Sequence, residues 1–358
     1  MDPAITIEML PVRLGDCLLV ECHRPPLRPW RMLIDGGPPD CWPVVRERLA
    51  RLPADDRRID LVVVTHIDSD HIGGLLPLFE TGLDAVPVGE VWFNGLDDHR
   101  RSAAQGEQLM RSLIGGTTRA SLRWNAAFGG LPVMTAEQGG FVEHRVADGP
   151  AVTVLSPTAK RLEILRRRWA VEAELVRRGE PSDAPEPPTP FEPLTALEAL
   201  AERVSTPDQS AANGSSIALL VEHRGAAALF AADAFANVLG AALFRLAEHR
   251  GVPAVPVDAF KLPHHASKAN VSARLVALAP ARHYLVSTNG DRFHHPDDVA
   301  LARVVVGAEP GAVLHFNYAN ARTDRWAVPR IADRYGITAG YPRTAAAGIR
   351  LELAGRAP

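Results

Sequence analysis

Lysine is almost missing from the chain. Of 39 basic residues only Lys160, Lys261 and Lys268 are lysine, and none follows a glycine, so the phosphate-cradling P-loop is excluded. Cysteine is equally sparse. Cys17, Cys22 and Cys41 are odd in number and lack C-x-x-C spacing, which excludes a disulfide framework or a thiolate zinc site and makes a reducing cytoplasm the expected compartment. Nowhere do 18 uncharged apolar residues follow one another, and the opening MDPAITIEML has neither a basic start nor a signal-length apolar run. Neither secretion nor membrane spanning is expected. The formal net charge of -3 excludes a wholly basic nucleic-acid module, and the absence of G-x-S-x-G excludes the serine-hydrolase elbow.

What the sequence does have is a globular composition, 46% apolar and 23% charged over 358 residues, enough to bury a sizeable core without staples. Short apolar runs predict strands at Ile5 to Leu10, Cys17 to Cys22, Met32 to Ile34, Leu61 to Val64, Val91 to Phe93 and Ala151 to Leu155. Helices are predicted at Trp42 to Leu52 and Gly106 to Ile114. From Lys160 to Arg178 the apolar residues Leu162, Leu165, Trp169, Ala173 and Val176 recur at helical spacing, with seven basic residues on the remaining surface. Six of the thirteen residues from Pro181 to Pro193 are proline, and the run to Ser210 carries six acids against Arg203 alone. Residues 157–212 are therefore expected to be an insertion, a basic amphipathic helix followed by a flexible proline-rich, acidic segment. Beyond it, a hairpin (Ile217 to Val221, Ala227 to Ala231) precedes alternating helices and strands: Phe235 to Glu248, Val257 to Leu262, Ser272 to Leu278, His283 to Ser287, Asp297 to Val306 and Ala312 to Phe316. Alternation in both halves suggests two sheets packed together with helices outside, in a single domain over residues 1–358.

Chemistry concentrates at Thr65-His66-Ile67-Asp68-Ser69-Asp70-His71-Ile72-Gly73-Gly74. An apolar strand ends at Val64 and a helix is expected after the glycines, so His66, Asp68, Asp70 and His71 converge on a sharp loop at a strand's C-terminal edge. Imidazole and carboxylate together suit zinc, manganese or iron; the alternative is an Asx turn capping a helix, with histidines that merely pack. A calcium loop fits poorly, because its closing glutamate position is Phe79. Further donors follow later strands. Asp233 comes after Leu229 to Ala231, and His264-His265-Ala266-Ser267-Lys268 comes after Phe260 to Leu262. They supply a carboxylate able to bridge two ions and a distant histidine to close the second ion's shell.

In order along the chain, Gly15-Asp16, Leu33 to Gly37, His66 to His71, Asn213 to Ser216, Asp233 and His264 to Ser267 resemble the metallo-beta-lactamase superfamily. Within it the similarity is closest to the hydrolase domain of bacterial competence DNA-uptake proteins. The resemblance implies a four-layer αββα sandwich, with a helical and proline-rich insertion here, and two divalent ions, Zn or Mn. It implies metal ligands at His66, Asp68, Asp70, His71, Asp233 and His265, with Asp35 behind them orienting the histidines. Two positions depart from the superfamily pattern: Asp68 stands where a second histidine is usual, and the region of Asn213 replaces a separate third histidine. His265 is the expected ligand and His264 a substrate-facing or orienting group, with the reverse assignment open. His295 is implied near the site as a phosphate contact or an acid for the leaving group; the alternative is a residue that merely precedes a proline at a helix start.

Two divalent ions against Asp68, Asp70 and Asp233 leave about one positive charge, so an anionic substrate is expected. The leading expectation is a phosphodiesterase or nuclease whose nucleophile is a metal-bound hydroxide, oriented and deprotonated by Asp70. Asn213, Ser267 and Lys268 are candidates to hold substrate oxygens. For Lys268 the alternative is a solvated loop lysine, and for Asn213 a turn cap. The competing functions are a lactonase, thioesterase or amidase for a small molecule, and a metal-stabilised partner-binding protein without catalysis. Nucleic acid or a nucleotide is the expected partner, with a regulatory protein as a further one and no membrane.

Overall fold

In the computed structural model, residues 3–81, 86–95, 122–136, 139–180, 190–344 and 347–356 are described. The strands are β1 (Pro3–Met9), β2 (Leu18–Cys22), β3 (Trp30–Ile34), β4 (Ile59–Val63), β5 (Val88–Trp92), β6 (Glu143–Arg145) and β7 (Ala151–Ser156). They continue with β8 (Ala218–His223), β9 (Ala226–Phe230), β10 (Val257–Lys261), β11 (Ala281–Val286), β12 (Val313–Phe316), β13 (Thr338–Gly340) and β14 (Ile349–Ala354). One sheet has the order β14-β1-β2-β3-β4-β5 and the other β13-β12-β11-β10-β9-β8-β7-β6.

Period-two burial puts the sheets face to face. In β4, Leu61 and Val63 join Ile5, Ile7, Met32, Leu219, Val221 and Leu285 in the core between the sheets. Val62 and the following Val64 point the other way, into a second core. The helices cover these outer faces. Among the described residues the α-helices are α1 (Trp42–Ala50), α2 (Ser69–Ile72), α3 (Leu76–Thr81), α4 (Ala159–Arg177), α5 (Leu197–Ala201), α6 (Ala211–Gly214), α7 (Ala236–Arg250), α8 (Ala273–Leu278), α9 (Asp298–Gly307), α10 (Ala321–Asp324) and α11 (Pro329–Tyr335). Val45 and Leu49 of α1 and Leu165, Trp169, Ala173 and Val176 of α4 pack on the first sheet. Leu239 and Leu243 of α7, Leu275 of α8 and Leu301 and Val304 of α9 pack on the second. The αββα sandwich expected from sequence is the observed arrangement.

Five of the seven basic residues of α4 and its C-terminal end pair with three carboxylates along the helix, so the surface keeps a net positive charge. Arg166 and Arg167 pair with Glu163, Arg168 with Glu172, and Arg177 and Arg178 with Glu174. Residues 190–210, expected to be irregular and flexible, include α5, whose Leu197 and Leu200 are buried in the second sheet's outer core. The predicted helix at Gly106 to Ile114 lies outside the described residues. Among the described residues, no helix is long and apolar enough to cross a membrane.

Parallel pairing decides where the loops meet. β3, β4 and β5 run parallel, as do β9, β10, β11 and β12, so the segments after their C-terminal ends emerge at shared edges. The two edges are joined where Ile217 N–H donates to the Thr65 carbonyl at 2.9 Å. The turns carrying His66 to His71, Asp233, His264 and His265 thereby come together.

Candidate metal centre

The first turn differs from its expected form. Its helix starts before the glycines: Asp68 is the N-cap of α2, its Oδ1 accepts the Ser69 N–H at 2.9 Å, and its carbonyl accepts from His71 and Ile72. Gly73 and Gly74 belong to a following 3-10 turn. Both glycine pairs are needed for close backbone approach. A Cβ on Gly74 would stand 1.9 Å from the Gly36 carbonyl oxygen, and one on Gly15 only 1.6 Å from that of Asp70. The Gly15-Asp16 and Asp35-Gly36-Gly37 turns thus pack directly under the Asp70 loop. The second turn is held in an uncommon backbone. Ala232, His264, His265 and Ala266 all have positive φ, a conformation few non-glycine residues adopt.

Hydrogen bonds on the far side of each ring set the tautomers. Asp35 Oδ1 accepts the Thr65 N–H at 2.8 Å, and Oδ2 accepts both the Thr65 hydroxyl at 2.7 Å and the His71 Nδ1–H at 2.9 Å. Because the Thr65 hydroxyl donates to Asp35, its oxygen accepts from His66 Nδ1 at 2.9 Å. His265 Nδ1 donates to the Ser287 carbonyl at 2.7 Å. All three rings therefore turn an Nε2 lone pair inward, and these buried atoms have no protein hydrogen-bond partner.

They converge on one carboxylate. Asp233 Oδ2 lies 3.4 Å from His71 Nε2, 3.7 Å from His264 Nε2, 3.8 Å from His265 Nε2 and 3.9 Å from His66 Nε2. Asp70 Oδ2 is 3.7 Å from His265 Nε2 and 3.9 Å from His71 Nε2. Two triads have ligand atoms close enough to hold an ion, His66–His71–Asp233 and Asp70–His71–His265, and every member is buried. Inward-facing imidazole lone pairs around shared carboxylates fit divalent-metal binding. Asp68, expected among the ligands, is in neither triad.

Electrostatics within the cluster are strongly coupled. Burial, with the neighbouring His71, pushes the His66 imidazole down to about 3, so it stays neutral and able to ligate at neutral pH. Burial would lower His71 too, but the Asp233 and Asp70 carboxylates outweigh it and raise this imidazole well above 6.5. Against its own burial, Asp233 is held well below the carboxylate range by His71, His264 and His265. The charge that holds a proton on His71 is the charge that attracts a cation.

A second group of residues surrounds the cluster. His264 Nδ1 lies 3.0 Å from Asn270 Oδ1 and 3.4 Å from Asp208 Oδ2. Asp208 Oδ2 also accepts the side-chain amides of Asn213 at 2.9 Å and Asn270 at 3.0 Å. Asn213 sits in the one-turn α6, capped by the Ser210 hydroxyl, rather than at the opening of a strand. The His295 ring centroid is 5.2 Å from that of His264, and Asp297 joins His295 to Lys268, with contacts of 3.5 Å and 3.3 Å. Ser267 is buried beside them. Three participants had no assigned role in the sequence reading: Asp208, Asn270 and Asp16. Asp16 accepts from Lys261 Nζ at 2.7 Å and its Oδ1 lies 3.4 Å from His265 Nδ1, so a buried salt bridge stands behind the ligand. The signal for it was Lys261 itself, a lysine inside an apolar strand that requires a counter-ion.

The Metallo-beta-lactamase superfamily model matches residues 31–290, and the chain belongs to that superfamily. The superfamily consists in general of metal-dependent hydrolases with a dinuclear metal site. The solved structures to which the chain is similar include two of one enzyme. One is the diiron beta-hydroxylase CmlA from Streptomyces venezuelae, at 14% identity and a TM-score of 0.40; the other is a single-substitution mutant of the CmlA beta-hydroxylase, at 15% identity and 0.44. Each comparison covers 99% of this chain and 55% of the other, so the chain spans about half their length. No curated protein matches the chain.

Proposed function

We propose that the chain is a two-metal phosphodiesterase acting on nucleic acid or a nucleotide, with Zn or Mn as its ions. The observation that carries this reading is the set of four imidazole Nε2 atoms within 3.9 Å of Asp233 Oδ2, with Asp70 beside it. His66, His71, His265, Asp70 and Asp233 would hold the ions. When bound, the ions supply Lewis acidity to a phosphoryl oxygen and lower the pKa of an attacking water.

The remaining steps fall to the protein's own groups. Asp70 accepts the proton of the attacking water, its buried carboxylate standing 3.7 Å from His265 Nε2 and 3.9 Å from His71 Nε2 at the edge of the cluster around Asp233. His264, held at Nδ1 by Asn270 and Asp208, presents Nε2 to the same space and protonates the leaving oxygen; His295, ring against ring with His264, supports it. Ser267, Lys268 and Asn213 border this space and suit the non-bridging oxygens of a phosphodiester. The similarity to competence DNA-uptake hydrolase domains supports the choice of nucleic acid over a neutral ester.

The test is hydrolysis of bis(p-nitrophenyl) phosphate, p-nitrophenyl acetate and labelled single-stranded DNA by metal-stripped protein refilled with manganese or zinc, beside Asp70→Ala. The expected result is metal-dependent cleavage of the two phosphodiesters that Asp70→Ala abolishes. Turnover of the acetate alone would move the reading to a small-molecule esterase.

A further inference from the structure

Behind the His264 side of the centre lies a cavity of about 670 Å³, formed by the starts of α4 and α7, residues 268–275 and the chain from 201 to 208. Asp208 belongs to both places, lining the cavity and reaching His264 Nδ1 at 3.4 Å. The volume is that of a pocket for a nucleotide-sized ligand.

Cations outnumber acids in its lining. Five cations line it, Arg161, Arg203, Lys268, Arg274 and Arg303, against Glu202 and Asp208. Arg203 pairs with Glu192 and Lys268 with Asp297. The other three are held by neutral groups. Arg161 lies 4.4 Å over the Phe235 ring and Arg274 5.7 Å over Phe244. Arg303 is buried, and its guanidinium donates to the carbonyls of Ala201, Lys268, Val271 and Arg203 and to the Ser205 hydroxyl. These bonds tie both walls of the cavity together, and among the described residues no carboxylate forms a salt bridge with Arg303, although Asp297 acts on it through space. The 15-residue α7 begins at this wall, and its N-cap Phe235 provides no side-chain acceptor, so the positive end of the helix dipole adds to the field.

Resting on the phosphodiesterase reading, we propose that this cavity binds consecutive phosphates of the substrate next to the bond being cleaved. The substrate class is then a phosphate chain, either a nucleic-acid backbone or a nucleoside polyphosphate. Guanidinium forks at Arg161 and Arg274 match phosphate oxygens, and the buried Arg303 sustains the potential without moving.

The test uses the full chain stripped of metal, with inorganic pyrophosphate as the probe and calorimetry at two salt concentrations. Pyrophosphate should bind without metal, more weakly at higher salt, and the Arg161→Ala/Arg274→Ala double variant should lose about tenfold or more in affinity at unchanged metal content. Equal affinity in the double variant, or no binding to metal-free wild type, would overturn the proposal. Displacement by a thymidine tetranucleotide identifies a backbone site, and displacement by a nucleoside triphosphate a free-nucleotide site. Hydrolysis of bis(p-nitrophenyl) phosphate by metal-loaded wild type is measured separately. Its absence, with pyrophosphate binding intact, would overturn the phosphodiesterase reading and leave the anion site standing.

Discussion

Gly15 lies directly beneath the carbonyl of Asp70, so near that a β-carbon would stand 1.6 Å from the oxygen. The contact joins the turn after β1 to the loop that carries the ligands, across more than fifty residues of chain. Gly15→Ala must therefore displace the backbone of Asp70 rather than a flexible side chain. The expected outcome is at least tenfold weaker metal binding, measured by competition with a chelating dye. Wild-type affinity in this variant would contradict the packing described.

Asp35 orients two histidines at once, His71 directly and His66 through the Thr65 hydroxyl. In Asp35→Asn the amide NH2 must face either the Thr65 N–H or the Thr65 hydroxyl and His71 Nδ1–H, so a donor–donor contact replaces at least one of the three hydrogen bonds. Metal affinity should fall about 10- to 100-fold while circular dichroism stays that of the wild type. Unchanged affinity would show that the rings are held by packing alone.

Arg303→Met removes the hydrogen bonds that hold residues 201–205 against residues 268–271. Leaving several part-buried carbonyls without a donor should cost roughly 2–4 kcal/mol, read by urea unfolding. A loss below about 0.5 kcal/mol, the size of a neutral surface change, would mean that water replaces the guanidinium.

Acid should destabilise the protein through His315. Burial and the neighbouring His283, at 3.0 Å, push this imidazole down to about 4. An unfolded histidine titrates near 6.5, so between these values the unfolded chain binds more protons, and stability present above 6.5 is lost as the pH falls toward 4. The drop in unfolding free energy from pH 7 to pH 5 should be smaller in His315→Gln than in wild type. Equal drops would contradict the depressed value.

Much of this was legible in the sequence because the donors are local. His66, Asp70 and His71 fall within six residues after an apolar strand, and Asp233 and His265 each follow a strand end. Strand ends in parallel sheets share an edge, which is why distant segments could be assigned to one site. What escaped was set by contacts through space. Asp208 and Asn270 are ordinary loop residues until the fold brings them to His264. Residues 197–205 read as part of a flexible acidic run, because their burial comes from α9 and Arg303, a hundred residues downstream. The strand β14 is different. Ile349, Leu351 and Leu353 alternate with Arg350 and Glu352, a period-two signal present in the sequence and overlooked, whereas the three-residue edge strands β6 and β13 carry none.

The central proposal is that the cluster around Asp233 holds two metal ions. Its most direct test is the metal content of wild type and Asp233→Ala after reconstitution with manganese or zinc and gel filtration, measured by plasma mass spectrometry. Two ions per chain in the wild type and one or none in the variant are expected. Two ions retained without Asp233 would contradict the account.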